Sequence, residues 1–318
     1  MNATPRIKLS TSFPDWPVAQ QTPAGRCQWQ GLEFFVNRPV SECDAWFVYD
    51  GLPAADSTCC PEGNLCFITA EPSTFKKYHR HWLENFDRVI TNQQDLWHPH
   101  KTQGQTGLPW LLRKSYDELS QMSFPAKTEG VSVISSTKTT TRGHRRRLAF
   151  VRELMRQAPV EVFGRGFRPL EDKWDGLAPF CFSIAIENSR HSDYWTEKIA
   201  DCFLAGTVPL YHGCPNISEY FPNNSFVSID IDDAAGAIHQ IKQIMVNAHD
   251  SHADRIPALL EARDLVLNRY NLFNLIAEAY STMNHGRTLK QTTLAPEPRP
   301  SRLSSRWLKW KRRWLDRD

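Results

Sequence analysis

No window of about 20 consecutive apolar residues occurs in the 318-residue chain, which excludes a membrane-spanning helix. The opening residues, MNATPRIKLSTSFPDW, lack the apolar stretch of a secretory signal, and that absence argues for the cytosol. Cysteine is sparse, at eight residues, and no Cys-x-x-Cys pair occurs, so a zinc site is not expected. Cys43, Cys59, Cys60 and Cys66 cluster along the chain and read as free thiols of a reducing compartment. An internal repeat of fixed period is also absent. What remains is ordinary globular composition, 41% apolar and 23% charged, in a chain long enough for two domains.

The net charge of +3 is unevenly placed. Eight Lys and Arg against two Asp give Arg299–Asp318 a charge of +6, so the rest of the chain carries −3. The basicity belongs to a tail, and a net acidic body argues against nucleic acid as a partner.

Short runs rich in Val, Ile, Phe and Tyr end in turn residues near 45–51, 65–72 and 87–92. A second series lies near 131–136, 160–166, 182–188, 207–213 and 226–230. Several are continuously apolar, as strands buried on both faces require. Between them RRRLAFVRELMRQ places Leu148, Val151, Leu154 and Met155 on one helical face. DYWTEKIADCFLAG reads as a helix from about Tyr194, capped by Ser192 or Asp193 and stopped at Gly206. AAGAIHQIKQIMVN and a long stretch from Ile256 to Met283 read as further helices. Alternating strands and helices predict α/β architecture with parallel sheets. The alternation pauses over 101–130, around a short helical SYDEL, which places a boundary near residue 126. The predicted domains are 1–125, 126–288 and a Pro-rich linker with basic tail over 289–318. The two α/β domains are expected to face each other across a cleft.

The most informative segment runs from Phe180 to Asp230. A buried strand ends in Glu187-Asn188, and a helix beginning soon afterwards carries Glu197 and Lys198 in its first turn. Ligands of open α/β sheets bind beyond the carboxyl ends of strands. A helix N-terminus attracts phosphate and disfavours a cation unless an anion is bound, which makes Lys198 unusual there. Taken alone, Glu197-Lys198 would be a surface pair; the strand-end Glu-Asn beside it turns the reading toward a ligand site.

This segment resembles the C-terminal signature of the family-10 glycosyltransferases, the α-1,3/1,4-fucosyltransferases. Glu-Asn-Ser, Asp-Tyr-x-Thr-Glu-Lys, Ala-Gly-x-Val-Pro, Gly and a final Ser-Phe-Val follow one another over about 50 residues. A weaker likeness extends upstream to about Leu65. The resemblance implies a GT-B fold of two Rossmann-like domains and a GDP-sugar donor in the C-terminal domain. It also implies acceptor contacts from the N-terminal domain and inversion at the anomeric carbon. By the same resemblance, Tyr194, Glu197 and Lys198 are donor contacts, Glu197 for the ribose hydroxyls and Lys198 for the diphosphate. Glu187 and Asn188 shape that pocket.

Upstream, SSTKTTTRGHRRRLAF follows a strand and opens a helix. Arg147 matches the family's diphosphate-binding arginine, with Arg145 close by, and a guanidinium grips phosphate oxygens in two-pronged fashion. A solvated basic helix start is the ordinary alternative. Glu71, in Ile-Thr-Ala-Glu-Pro at a strand end, corresponds to the family's catalytic glutamate, and partial desolvation would make it a better base. Without that correspondence it would be an ordinary loop Glu.

Asp230-Ile231-Asp232 spells the metal motif of a different glycosyltransferase fold, but the family pattern already explains that strand end. No metal site is predicted there or among His79, His81, His98 and His100; no cofactor is required, and a divalent ion would at most stimulate. The expected activity is fucose transfer from GDP-fucose to an acceptor oligosaccharide or glycolipid, in surface polysaccharide or lipopolysaccharide synthesis. A relative using another GDP-sugar and a silent nucleotide-sugar-binding module are the alternatives.

In the tail, Leu303, Trp307, Trp310 and Trp314 share one helical face and the basic residues lie elsewhere. That is the composition of an interfacial anchor, which predicts attachment to the inner face of an anionic membrane. Docking on the protein's own body is the other reading.

Overall fold

The structure, a computed structural model, describes residues 4–13, 16–283, 286 and 288–298. It divides into two compact α/β units, 1–106 with 272–318, and 107–271.

The N-terminal part of the first unit contains strands β1 (Arg6–Thr11), β2 (Gln28–Trp29), β3 (Leu32–Val36), β4 (Ala45–Tyr49), β5 (Asp56–Pro61), β6 (Leu65–Ile68), β7 (Arg88–Thr91) and β8 (Lys101–Gln103), and the short α-helix α1 (Arg80–Leu83). Seven of the strands form one sheet in the order β2-β3-β1-β4-β6-β7-β8. Only β2 runs antiparallel to its neighbour. Every residue of β4 and β6 is buried, which explains their unbroken apolar sequences. Trp46, Val48, Phe67 and Val89 pack with Trp82, Leu83 and Phe86 in one core cluster.

The second unit holds α2 (Tyr116–Gln121), β9 (Glu129–Ile134), α3 (Arg142–Gln157), β10 (Glu161–Phe163), β11 (Phe180–Ile186), α4 (Glu197–Leu204), β12 (Val208–His212), β13 (Val227–Ser228), α5 (Ala234–Val246), α6 (Ala248–Ala253) and α7 (Ile256–Asp264). Its sheet is fully parallel, in the order β10-β9-β11-β12-β13. The central strand β11, FCFSIAI, is buried along its whole length. Helix α3 turns His144, Arg147, Leu148, Val151 and Leu154 inward at helical spacing, while Met155, expected on that face, is exposed.

After α7 the chain returns to the first unit as α8 (Leu272–Ser281) and β14 (Leu289–Leu294). Strand β14 pairs antiparallel with β5.

Four expectations change. The division falls at 106/107 rather than 125/126, because Trp110, Leu112 and Leu119 are buried in the second unit's core. Residues 272–288 do not belong with the second unit: Phe273 packs on Phe34, and Asn274 accepts from Trp29 Nε1. Ile256–Met283 is two helices separated by a π turn at Leu265–Arg269. The predicted linker begins as the strand β14, where buried Leu294 sits opposite Asp56. The proposed amphipathic segment 302–317 lies outside the described residues. Among the described residues no helix is long and apolar enough to cross a membrane.

Candidate active site

The carboxyl edge of the second unit's sheet gathers most of the charged residues singled out from sequence. Glu187 follows β11 directly and is 4% exposed. Its Oε1 accepts from the Thr196 backbone N–H at 2.8 Å and the hydroxyl at 3.0 Å. Thr196, rather than Ser192 or Asp193, caps α4, and its hydroxyl accepts from Lys198 N at 3.3 Å. Asp193 is drawn off into a loop, where Asn216 Nδ2 and the Tyr220 hydroxyl both donate to its carboxylate. The intervening Trp195 anchors this loop among the rings of Tyr220, Phe221 and Tyr270. The helix ends where predicted, with Gly206 in the left-handed region at φ +67°.

Lys198 Nζ lies 3.3 Å from both Glu187 Oε2 and Glu197 Oε1, and 3.0 Å from the Thr196 hydroxyl. Burial works against its charge, but Glu187 and Glu197 outweigh that and hold its pKa above the usual value. Burial pushes the Glu187 carboxyl up, against the pull of Lys198. Glu197 goes the other way: burial would raise it, yet Lys198 and Lys173 together hold it well below the carboxylate range.

Lys173 and Asp201, neither singled out from sequence, extend this cluster. Lys173 Nζ stands 2.9 Å from Asp201 Oδ2 and 3.7 Å from Glu197 Oε1. Asp201 also accepts from Leu111 N at 3.0 Å, and burial raises it to about 6 despite Lys173.

Helix α3 supplies Arg147. Thr141 caps the helix, and its N-terminus comes so close to the end of β11 that a Cβ on Gly143 would stand 2.1 Å from the Asn188 carbonyl oxygen. Arg147 Nη1 donates to Asn188 Oδ1 at 2.8 Å, while its buried Nε has no hydrogen-bond partner among the described residues. Burial lowers the Arg147 pKa, opposed by Glu187, Glu197 and Tyr194, which places these groups within electrostatic reach of one another. His144, one turn back, donates or accepts at Thr140 Oγ1 over 2.8 Å. Burial first, then Arg147, Lys138 and Lys198, lower it to about 4, so it is neutral at pH 7.

The structure therefore brings together Arg147, Glu187, Asn188, Tyr194, Glu197 and Lys198. It does not bring Arg145, whose exposed guanidinium donates to the Thr139 carbonyl at 3.0 Å. Arg146 pairs with Asp232. Ser135, just beyond β9, has a buried hydroxyl without a partner and was not flagged from sequence, although its place at a strand end was the available signal.

His212, Asp230 and Asp232 each offer a ligand atom within 4.8 Å of the others, and nothing in the residue pattern links His212 to the Asp pair. Arg146 already pairs with Asp232, and burial first, with Arg190 and Arg146 adding to it against Asp230 and the Ile229 carbonyl, lowers the His212 pKa. With one of the two carboxylates already paired, the attraction left for a cation is reduced.

Glu71 belongs to the first unit, three residues beyond β6, and is 9% exposed. Its main chain is held by side chains: the Tyr78 hydroxyl accepts from its N–H at 3.4 Å, and Gln93 Nε2 donates to its carbonyl at 2.7 Å.

Residues 124–250 match the family described as Glycosyltransferase family 10 (fucosyltransferase) C-term. Alpha-(1,3)-fucosyltransferase 4 of Bos taurus is 36% identical over 121 residues, which is 36% of this chain and 28% of that protein. Alpha-(1,3)-fucosyltransferase B of Drosophila melanogaster is 26% identical over 155 residues, 41% of this chain and 33% of that protein. The chain thus spans a third or less of the length of these curated relatives. A crystal structure of an alpha1,3-fucosyltransferase with GDP-fucose aligns with a TM-score of 0.53 and 18% identity, over 89% of this chain and 91% of that one. That likeness establishes the α/β fold as the GT-B type. With the Arg147–Lys198 cluster inside the matched segment, residues 124–250 are a glycosyltransferase family 10 (fucosyltransferase) domain.

Proposed function

We propose that the chain is an inverting glycosyltransferase that moves fucose from GDP-fucose to a hydroxyl of an acceptor oligosaccharide or glycolipid, in α-1,3 or α-1,4 linkage. The observation that carries this reading is the buried Arg147, with an unpartnered Nε, in one cluster with Lys198 at the start of α4. A diphosphate suits such a place. Its oxygens accept from a guanidinium in two-pronged fashion, and helix N-termini add favourable dipoles.

The chemistry follows from the groups. The acceptor oxygen attacks the anomeric carbon as the bond to the GDP oxygen breaks. Arg147 and Lys198 stabilise the charge that develops on the departing diphosphate. Glu197, held ionised by Lys173 and Lys198, accepts from the ribose hydroxyls. Tyr194, Glu187 and Asn188 complete the pocket wall. Glu71 takes the proton released by the acceptor hydroxyl. No metal is assigned a role in this sequence of events.

Transfer assays with GDP-fucose, other GDP-sugars and UDP-sugars test the proposal. Product from GDP-fucose alone supports it. Product from a different GDP-sugar alone would reassign the donor, and nucleotide binding without turnover would make the chain a binding module.

The basic tail extends the proposal to the cell. Residues 302–317 hold the enzyme peripherally on the cytoplasmic face of an anionic membrane, where surface polysaccharide or lipopolysaccharide precursors are built. Each Lys or Arg at such a surface is worth on the order of 1 kcal/mol. Removal of residues 299–318 should release the protein from anionic vesicles while turnover of a soluble acceptor persists. Continued sedimentation with vesicles would count against the anchor.

A further inference from the structure

The turn that carries Glu71 is fastened more elaborately than a strand end requires. Beyond β6 the ladder to β7 finishes with Thr69 N donating to the Ile90 carbonyl at 3.0 Å. The next two N–H groups, of Ala70 and Glu71, both point at one phenolic oxygen, that of Tyr78, at 3.1 and 3.4 Å. The same hydroxyl donates its proton to Asp50 Oδ1 at 2.7 Å. On the other side Gln93 Nε2 bridges the carbonyls of Glu71 and Lys76, at 2.7 and 2.9 Å. Both backbone polar groups of Glu71 are therefore bound by side chains from two separate segments.

Each of those side chains is itself held. Asp50 directly follows β4 in the left-handed region, φ +62°, a strained conformation for a residue other than glycine. Its N–H donates to the Ile68 carbonyl at 2.9 Å, and its carboxylate accepts from Ser12 Oγ at 2.8 Å and Lys76 Nζ at 3.2 Å. The Tyr78 ring packs edge-on against Phe67, centroids 5.0 Å apart, and carries Lys76 Nζ over its face at 4.5 Å. Burial, and then Asp50, raise the Tyr78 pKa well above the usual value, so the phenol keeps the proton it donates. Beyond β14, Glu297 accepts from His79 N at 2.6 Å and lies 3.7 Å from Lys76, tying down the far end of the Lys76–His79 segment.

We propose that Tyr78 is a positioning residue for transfer: braced by Asp50, and with Gln93 opposite, it fixes the main chain of Glu71 so that the carboxylate meets the acceptor hydroxyl in one orientation. This rests on the reading of Glu71 as the proton acceptor. The physical need is strict, because a misplacement of about 1 Å at a reacting group can cost roughly 100-fold in rate. A water-bonded turn would leave the carboxylate several orientations. Two neutral side-chain clamps fix the main chain from which the carboxylate extends and so narrow that range.

The experiment compares Glu71→Gln, Tyr78→Phe and the double variant in GDP-fucose transfer, with melting temperatures and nucleotide affinity measured on the same preparations. Tyr78→Phe keeps the ring and removes only the hydroxyl. Expected is a kcat about tenfold lower at unchanged GDP-fucose KM, and no further loss when it is added to Glu71→Gln. Gln93→Leu releases the opposite clamp and should reproduce the pattern, which keeps the idea testable if Tyr78→Phe folds poorly. A Tyr78→Phe enzyme with wild-type kcat overturns the positioning role while leaving Glu71 as base. So does a loss that multiplies with that of Glu71→Gln, or one that falls on donor KM. If Glu71→Gln itself transfers at the wild-type rate, the base assignment fails and the positioning role with it.

Discussion

The two units present the carboxyl ends of their parallel sheets in opposite chemical styles. In the second unit that edge is ionic: Arg147, Lys198 and Lys173 are interleaved with Glu187, Glu197 and Asp201, with Arg147, Glu187 and Asp201 buried and the other three half-buried. In the first unit it is largely neutral: Thr69 bonds Thr91, Tyr78 and Gln93 clamp the Glu71 main chain, and Asp50 sits behind them. Buried charge is costly and persists only where it is paired or has work to do. On the proposed reading the ionic edge meets the charged donor, whereas the other edge holds the Glu71 main chain through neutral side chains. In the proposed reaction, one fold type used twice separates leaving-group stabilisation from proton removal.

The largest way to break this contrast is at Glu71. Glu71→Gln keeps the shape and removes proton acceptance, so kcat should fall about 10²–10⁴ fold while GDP affinity stays within about twofold. Steady-state kinetics with nucleotide titration would show it; an equal loss in both would mean that the division of labour is wrong.

A smaller effect is expected from Gly143→Ala. Its Cβ would be driven against the carbonyl oxygen and carbon of Asn188, backbone atoms with little room to yield. Roughly 1–3 kcal/mol of stability should be lost, with weaker GDP binding because Asn188 and Arg147 move apart. Thermal unfolding that is unchanged would show that the α3 start and the β11 end can separate freely.

The smallest effect is on pH dependence. His144 is held at about 4, against an ordinary 6.5, by burial and by the cations around it. Above pH 6.5 it is neutral folded or unfolded and costs nothing. As pH falls from 6.5 toward 4 the unfolded chain takes up its proton first, so stability drains over that window. Melting temperatures between pH 7.5 and 4 should decline less steeply in His144→Gln. A slope identical to wild type would remove His144 as a buried neutral group.

Much of this architecture is legible in the sequence because buried parallel strands write themselves as apolar runs, as β4, β6, β11 and β12 do. Strands that depend on tertiary partners are not. In β1 the central Lys8 is 1% exposed, which its pairing with Asp56, its bond to the Ser57 carbonyl and the Trp46 ring make tolerable. Strand β14, LKQTTL, is polar and is a strand because β5 offers it a partner. Within the site, the spacing to Leu148, Val151 and Leu154 could have told Arg147 from Arg145, since only the former lies on the buried face of α3. Thr196 as the cap was also readable, a Thr directly before Glu-Lys. Lys173 was not readable, since it reaches Glu197 and Asp201 from a distant turn and leaves no periodic mark.

The central claim is that the Arg147–Lys198 cluster is a GDP-diphosphate site, and calorimetric titration of GDP into the intact protein and into Arg147→Met tests it most directly. Met fills much of the same volume without the guanidinium, and a lost charge-assisted contact is worth about 1.5–3 kcal/mol. Wild-type protein should bind GDP with clear preference over UDP, and Arg147→Met should bind it roughly 10–100-fold more weakly with the fold intact. Equal affinity for GDP in the two proteins would contradict the account.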